Sequence, residues 1–110
     1  MNMKISGIVV SILFATTAYA ADSRFIATDV VYGHKDGMAL VLDVYKPQGN
    51  PNGAGLVFMV SGGWVSSQAM QSGMTSLMKP AINDGFTVFA VRHGSSPRYK
   101  VPDAHADVDR

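Results

Sequence analysis

The first half of the chain alternates between short strand-like segments and turn-forming residues. Phe25–Tyr32 is rich in β-branched and aromatic residues, and Gly33–Gly37 follows with two glycines and an Asp-Gly step. Met38–Tyr45 alternates, with Asp43 and Tyr45 on one face. Its apolar residues share the other face: Met38, Leu40, Leu42 and Val44. The pattern predicts an antiparallel hairpin with one face of the second strand on a core.

Two further apolar segments predict strands of a different kind. Five apolar residues run without a break from Leu56 to Val60 and stop at Ser61-Gly62-Gly63. Such a run is typical of a strand buried on both faces, as in the middle of a mostly parallel sheet. Phe86–Arg92 is the second compact apolar strand. The glycines between them expose backbone N–H groups to a close approach by another molecule.

The segment that joins these two strands predicts a helix. Its apolar residues recur at helical spacing: Met70, Met74, Leu77, Met78, Ala81 and Ile82. Ser66 and Ser67 are candidates for the N-cap, and Asp84-Gly85 is a typical helix end. Pro80 is expected to kink or divide the helix near Ser76. Strand, helix and strand at this spacing predict a right-handed parallel crossover.

The remaining residues predict a loop and the start of another helix. His93–Val101 is polar, Pro102 suits the first helical position, and Asp103 suits the first turn. Ala104 and Val108 would form the inner face of that helix. A hairpin followed by a parallel β-α-β unit and a further helix is the front part of an α/β sheet. The sequence therefore predicts an incomplete α/β fold.

The first twenty residues have the organisation of a cleaved secretory signal. Lys4 gives a short positive region, Ile5–Ala15 is largely apolar, and Ala18-Tyr19-Ala20 matches a signal-peptidase site. An N-terminal membrane anchor is the alternative, although the run is short for a bilayer. Cleavage after Ala20 predicts a secreted or periplasmic chain, Ala21–Arg110, without a stable membrane anchor.

Composition and charge narrow the candidate chemistry. The 110 residues suffice for at most one small domain, and the absence of cysteine excludes disulfides, thiolate metal sites and a Cys nucleophile. The formal net charge of +1, without a basic run, gives little support to nucleic-acid binding. Metal-ligand spacings are absent, and Gly53-Ala54-Gly55 precedes its strand, whereas a phosphate-binding loop follows one. We therefore expect neither a metal nor a cofactor.

Three motifs in order resemble the α/β-hydrolase superfamily. They are Val60–Trp64 (Val-Ser-Gly-Gly-Trp), Val91-Arg92, and Pro97–Pro102 leading to Asp107-Val108. The chain is most similar to the esterase/lipase branch related to hormone-sensitive lipase and to secreted polysaccharide-ester esterases. Members of that branch carry His-Gly-Gly-Gly-Trp after the third strand and Tyr-Arg-Leu-x-Pro-Glu-x-x-Phe-Pro after the fourth. A helix with an Asp-Val pair follows.

The resemblance implies roles for the glycine turn. Val60 stands in place of the His of the motif and Ser61 in place of its first Gly, so these two residues inherit no role. Gly62 and Gly63 match the glycines whose backbone N–H groups form the oxyanion hole. Trp64 would line or prop the entrance to the acyl site, or else simply pack under the loop. Arg98 replaces a Glu of the family, so a buried charge pair there must be different or missing.

The catalytic groups that the resemblance implies are not in the sequence. The family attacks an ester with a Ser on a Gly-x-Ser-x-Gly elbow, assisted by an Asp and a His that follow it. No such elbow occurs here, and Gly94–Pro97 is the nearest approach to it. His34, His93 and His105 are expected to be solvated surface residues. The resemblance also implies a missing strand beside Leu56–Val60, which would leave that strand as an open edge.

The sequence therefore favours a fragment of a secreted serine hydrolase that acts on a small-molecule or polysaccharide ester. Without a nucleophile, the 110-residue chain by itself is expected to be inactive. Two alternatives stay open at this point. One is a fragment of a prolyl-oligopeptidase-like peptidase, which shares the fold. The other is a small secreted binding protein without catalysis, which requires that Arg110 be the true C-terminus.

Overall fold

A computed structural model describes residues 24–110 as one sheet with helices, which confirms the predicted α/β class. The strands are β1 (Phe25–Lys35), β2 (Met38–Tyr45), β3 (Gly55–Val60) and β4 (Thr87–Arg92). The helices are α1 (Gln68–Gly73), α2 (Thr75–Asn83) and α3 (Val101–Val108). None of these helices is long and apolar enough to cross a membrane. The predicted signal sequence, Met1–Ala20, lies outside the described residues.

The sheet has the strand order β1-β2-β4-β3. Strands β1 and β2 pair antiparallel, as do β2 and β4, whereas β3 and β4 pair in parallel from Gly55↔Thr87 to Val60↔Arg92. The predicted hairpin and parallel crossover are therefore confirmed. Because β3 and β4 are parallel, the loops that follow them emerge at the same edge of the sheet, and this edge holds the glycine turn.

The hairpin turn is tighter than the sequence predicted. Strand β1 continues to Lys35, so the predicted turn Gly33–Gly37 shrinks to Asp36 and Gly37. Both residues have positive φ angles, 49° and 77°. Two-residue hairpins favour this backbone because its twist matches that of the strands, and Asp-Gly tolerates it.

The predicted facing of β2 is wrong. Asp43 and Tyr45, assigned to the face away from the core, are only 1% and 3% exposed. Tyr45 belongs to the main apolar cluster, together with Met78 and Ile82 of α2, and Gln71 of α1 bonds to both Asp43 and Tyr45. Helices α1 and α2 therefore cover the face of β2 that carries Asp43 and Tyr45. Leu40 is also buried, so each face of β2 is partly covered.

Strand β3 is not buried on both faces, contrary to its apolar pattern. Leu56 and Phe58 pack against the core cluster and Val60 is fully buried within it. Val57 and Met59, which alternate with them, are 61% and 42% exposed. Within residues 24–110, β3 pairs with β4 alone and forms an edge of the sheet. This is the open edge that the resemblance implied.

The helical segment divides two residues earlier than predicted. Helix α1 ends at Gly73, and Met74 separates it from α2, with its N–H bonded to the Met70 and Gln71 carbonyls at 3.1 and 3.0 Å. Pro80 lies inside α2, and α2 continues through Ser76 without a break. The division therefore lies at Met74, before α2 begins. The Ser67 hydroxyl caps α1 by accepting from the Met70 N–H at 3.2 Å. This confirms one of the two predicted N-cap candidates.

We expect Gly85→Ala to lower the free energy of unfolding by about 2–4 kcal/mol. Gly85 follows α2 with a φ of +88°, and a Cβ there would lie 2.4 Å from the Asn50 carbonyl oxygen. Urea denaturation followed by circular dichroism measures the loss. Gly73→Ala is the matched control, because a Cβ at the end of α1 meets no atom within 4 Å. Equal effects from the two substitutions would contradict this account of Gly85.

Candidate oxyanion turn and its supporting network

The glycine motif folds into a tight turn directly after β3. The Gly62 N–H donates to the Val65 carbonyl and the Val65 N–H donates to the Gly62 carbonyl, both at 3.0 Å. The two central residues, Gly63 and Trp64, have φ angles of 56° and 61°, which is the pattern of a type I′ turn. The Gly62 N–H is thus engaged within the turn. Within residues 24–110, the N–H groups of Gly63 and Trp64 have no hydrogen-bond partner.

Trp64 occupies a backbone conformation that bulky residues rarely adopt. A left-handed residue with a Cβ costs about 1–2 kcal/mol, so neighbouring contacts must hold it in place. The Trp64 carbonyl accepts the Ser96 N–H at 2.9 Å, which ties the turn to the loop after β4. The side chain is 49% exposed and borders a groove of about 330 Å³ with Met59 and Val101. Trp64 therefore lies at the surface beside the turn.

Two serine hydroxyls join the loops that follow β3 and β4. The Ser66 N–H donates to Ser95 Oγ at 2.9 Å, and Ser95 Oγ donates to the Ser66 carbonyl at 3.1 Å. Ser66 Oγ accepts the His93 N–H at 3.3 Å. Ser66 was predicted as a possible helix cap, but it instead links the loop after β3 to the end of β4 and the loop that follows it. With the Ser96–Trp64 bond, these contacts fix the turn against the end of β4.

The three histidines divide into one buried and two exposed residues. His34 and His105 are exposed, as predicted, but His93 is only 4% exposed, so its predicted solvation is wrong. The His93 Nδ1 atom lies 2.8 Å from the Gly94 carbonyl oxygen and must carry the proton, because a carbonyl only accepts. Its Nε2 atom is buried without a partner within residues 24–110. The same residues contain no group of three acidic or histidine side chains that could hold a metal.

A buried polar network lies beneath the end of β4. The Arg92 guanidinium donates to Asp43 at 3.1 and 3.3 Å, to Gln71 at 2.7 Å and to the exposed Asp29 carboxylate at 2.6 Å. Burial by itself raises the pKa of the Asp43 carboxyl. Hydrogen bonds from the Asp29 N–H, Arg92 and Gln71 outweigh burial, so the pKa lies below its usual value of 3.8. The network joins both strands of the hairpin, β4 and α1.

A second buried carboxylate anchors α3. Asp107, which is fully buried, accepts from Lys35 Nζ at 2.9 Å and from the Gly94 N–H at 2.9 Å. The Lys35 ammonium lies 4.3 Å from the centre of the Tyr99 ring. The family motif with its Asp-Val pair singled out Asp107 in the sequence, but it did not indicate that Lys35 and Gly94 would be its partners. The carboxylate ties the end of β1 and the loop after β4 to α3.

Tyr32 bonds to the backbone of Arg92 and is influenced by the charge of Asp107. Its hydroxyl donates to the Arg92 carbonyl at 2.7 Å. Burial and the negative charge of Asp107 raise the pKa of Tyr32 from 10.0 to about 12. The phenol therefore stays protonated at neutral pH, which its role as a donor requires.

Comparison with known proteins gives one informative structural likeness. No protein-family model matches the chain, and no curated protein matches it. The chain is similar in structure to esterase 2 of Thermogutta terrifontis, solved after phosphoramylation by tabun, with 24% sequence identity and a TM-score of 0.59. The likeness covers 82% of this chain and 35% of that one, so the chain spans about a third of the esterase. It shows that residues of this chain adopt part of an esterase fold.

Proposed function

We propose that the chain is part of a secreted carboxylic-ester hydrolase that works through an acyl-enzyme, with its oxyanion hole at the turn after β3. The proposal depends chiefly on one observation. Among the described residues, 24–110, the N–H groups of the two consecutive left-handed residues Gly63 and Trp64 have no partner, and they lie at the edge where β3 and β4 both end. The likeness to a solved esterase supports a hydrolase fragment over a binding protein without catalysis.

We assign the first donor to Gly63, because the resemblance names it and its N–H has no partner within residues 24–110. The resemblance pairs it with Gly62, but the Gly62 N–H donates to Val65 within the turn. We therefore infer that Trp64 supplies the second N–H. A donor of this kind contributes about 3–4 kcal/mol when it faces the developing oxyanion. The half-exposed Trp64 ring would line the approach to the acyl site.

The proposed reaction needs a serine on a Gly-x-Ser-x-Gly elbow, followed by an Asp and a His, and this sequence does not contain that elbow. A serine hydroxyl would attack the ester carbonyl while a histidine takes its proton. The negative oxygen of the tetrahedral intermediate would accept hydrogen bonds from the N–H groups of the turn. The bond between the carbonyl carbon and the alcohol oxygen would then break, and the histidine would give its proton to the leaving alcohol. Water would then release the acid from the serine. Because the elbow serine is absent, we expect the 110-residue chain alone to be inactive.

The decisive experiment is to sequence the source DNA beyond the codon for Arg110. An open frame that encodes Gly-x-Ser-x-Gly, and then an Asp and a His, supports the proposal. The encoded protein should react with a fluorophosphonate probe and hydrolyse p-nitrophenyl acetate, whereas the 110-residue chain should do neither. A stop codon after Arg110, or an elbow protein that cleaves proline peptides but not esters, would contradict the ester-hydrolase proposal.

A further inference from the structure

A second concave site lies along α2, away from the glycine turn. It is a groove of about 360 Å³ between one face of α2 and the loop after β2. Its lining residues are Arg24, Tyr45, Gln48, Thr75, Lys79, Ile82 and Asn83. The groove is near the N-terminal end of β4, because Tyr45 pairs with Val88, whereas the turn follows the opposite end of β3. Its volume is within the range of small-molecule sites.

Backbone hydrogen bonds hold the walls of this groove in place. The Gln48 N–H donates to the Ile82 carbonyl at 2.8 Å, which fixes the loop after β2 against the end of α2. The Lys46 N–H donates to the Arg24 carbonyl at 3.1 Å, which fixes the start of β1 beside it. The groove is therefore formed before any ligand binds, so a ligand would not have to order it.

The chemistry of the lining is asymmetric. Tyr45 and Ile82 are buried and give an apolar floor. Gln48, Lys79 and Asn83 carry hydrogen-bond donors, and no carboxylate lines the groove among residues 24–110. In the described part of the chain, the side chains of Gln48, Lys79 and Asn83 have no hydrogen-bond or ion-pair partner. A cation and two amides beside an apolar floor favour an anionic acceptor that carries a hydrocarbon body.

We propose that this groove binds a small organic carboxylate with an apolar body, such as an aromatic acid. The carboxylate would accept from Lys79 and the neighbouring amides, while the hydrocarbon lies on Ile82 and Tyr45. The proposed contacts do not include the glycine turn, so the proposal does not depend on esterase activity.

The test is a ¹H–¹⁵N NMR titration of the full 110-residue chain with sodium benzoate. We expect saturable shifts at residues of the groove. Lys79→Gln should weaken the affinity roughly 5- to 20-fold. Lys46→Gln is the matched control, because Lys46 is next to Tyr45 and carries the same charge but does not line the groove. It should leave the affinity within about twofold.

Three outcomes would overturn the proposal. The first is the absence of saturable shifts with benzoate. The second is an equal loss of affinity in Lys46→Gln and Lys79→Gln, which would indicate diffuse attraction to positive charge. The third concerns the ligand class: benzamide or inorganic phosphate binding as tightly as benzoate would exclude a combined need for a carboxylate and an apolar body. Because none of these measurements involves ester hydrolysis, their result is independent of the proposed function.

Discussion

Asp107→Ala should lower the free energy of unfolding by about 3–5 kcal/mol, because it leaves a buried cation without its counter-charge. The Asp107 carboxylate is fully buried and accepts from the Lys35 ammonium and the Gly94 N–H. The Lys35 side chain is itself only 13% exposed, so water replaces the lost carboxylate poorly. Urea denaturation at neutral pH, followed by circular dichroism, measures the change.

Asp109→Ala provides the comparison on the same helix. Asp109 also pairs with a basic group, His105, at 3.2 Å, but both side chains are largely exposed, at 68% and 77%. Exposed ion pairs contribute about 0–1 kcal/mol, so this substitution should have little effect. Asp107→Asn should fall between the two, because its amide oxygen still accepts one hydrogen bond. If Asp107→Ala cost no more than Asp109→Ala, the carboxylate would not be the anchor of α3.

Local signals explain why most elements could be predicted from the sequence. The Asp36-Gly37 step, the Ser67 cap and the Asp84-Gly85 helix end each depend on the conformational preferences of one or two residues. The parallel crossover followed from two apolar strands separated by a helix-length segment. These features need no information from distant parts of the chain, so the sequence pattern was sufficient.

Long-range partners explain the errors in facing and burial. An aspartate on an alternating strand indicates a solvent-facing position, yet Asp43 is buried because Gln71 and Arg92, 28 and 49 residues away, donate to it. The apolar run of β3 likewise does not show whether other elements cover both faces of the strand, and Val57 and Met59 remain exposed. His93 was misplaced for the same reason, since the loop after β4 buries it and its N–H bonds to Ser66.

The candidate site was only partly predictable. The resemblance identified Gly62, Gly63 and Trp64, but a sequence motif does not specify which N–H groups the turn itself uses. The structure shows that Gly62 donates to Val65 and that Trp64 takes a left-handed conformation, against its local preference. A bond from Ser96 to the Trp64 carbonyl stabilises this conformation, and no local signal predicts that contact.

Acid should destabilise the fold through Asp43, and Asp43→Asn should remove that component. The folded-state pKa of Asp43 lies below 3.8, because hydrogen bonds to the carboxylate outweigh its burial. A group with a depressed pKa contributes stability that is present above its unfolded value and is lost as the pH falls through the folded value. The free energy of unfolding should therefore fall below about pH 4. Urea denaturation between pH 2 and pH 7, roughly the range over which carboxyls titrate, measures this slope.

Asp43→Asn should also cost about 2–4 kcal/mol at neutral pH, because it leaves the buried Arg92 guanidinium without full compensation. Its amide presents donors to Arg92 and Gln71, which are donors themselves. Asp36→Asn removes the same charge from the exposed hairpin turn, where asparagine tolerates the positive φ, and should leave both the stability and the acid slope unchanged. If Asp43→Asn kept the wild-type slope below pH 4, other carboxylates would be responsible for the acid sensitivity. The buried network around Arg92 would then contribute to packing alone, and the charge of Asp43 would not stabilise the fold.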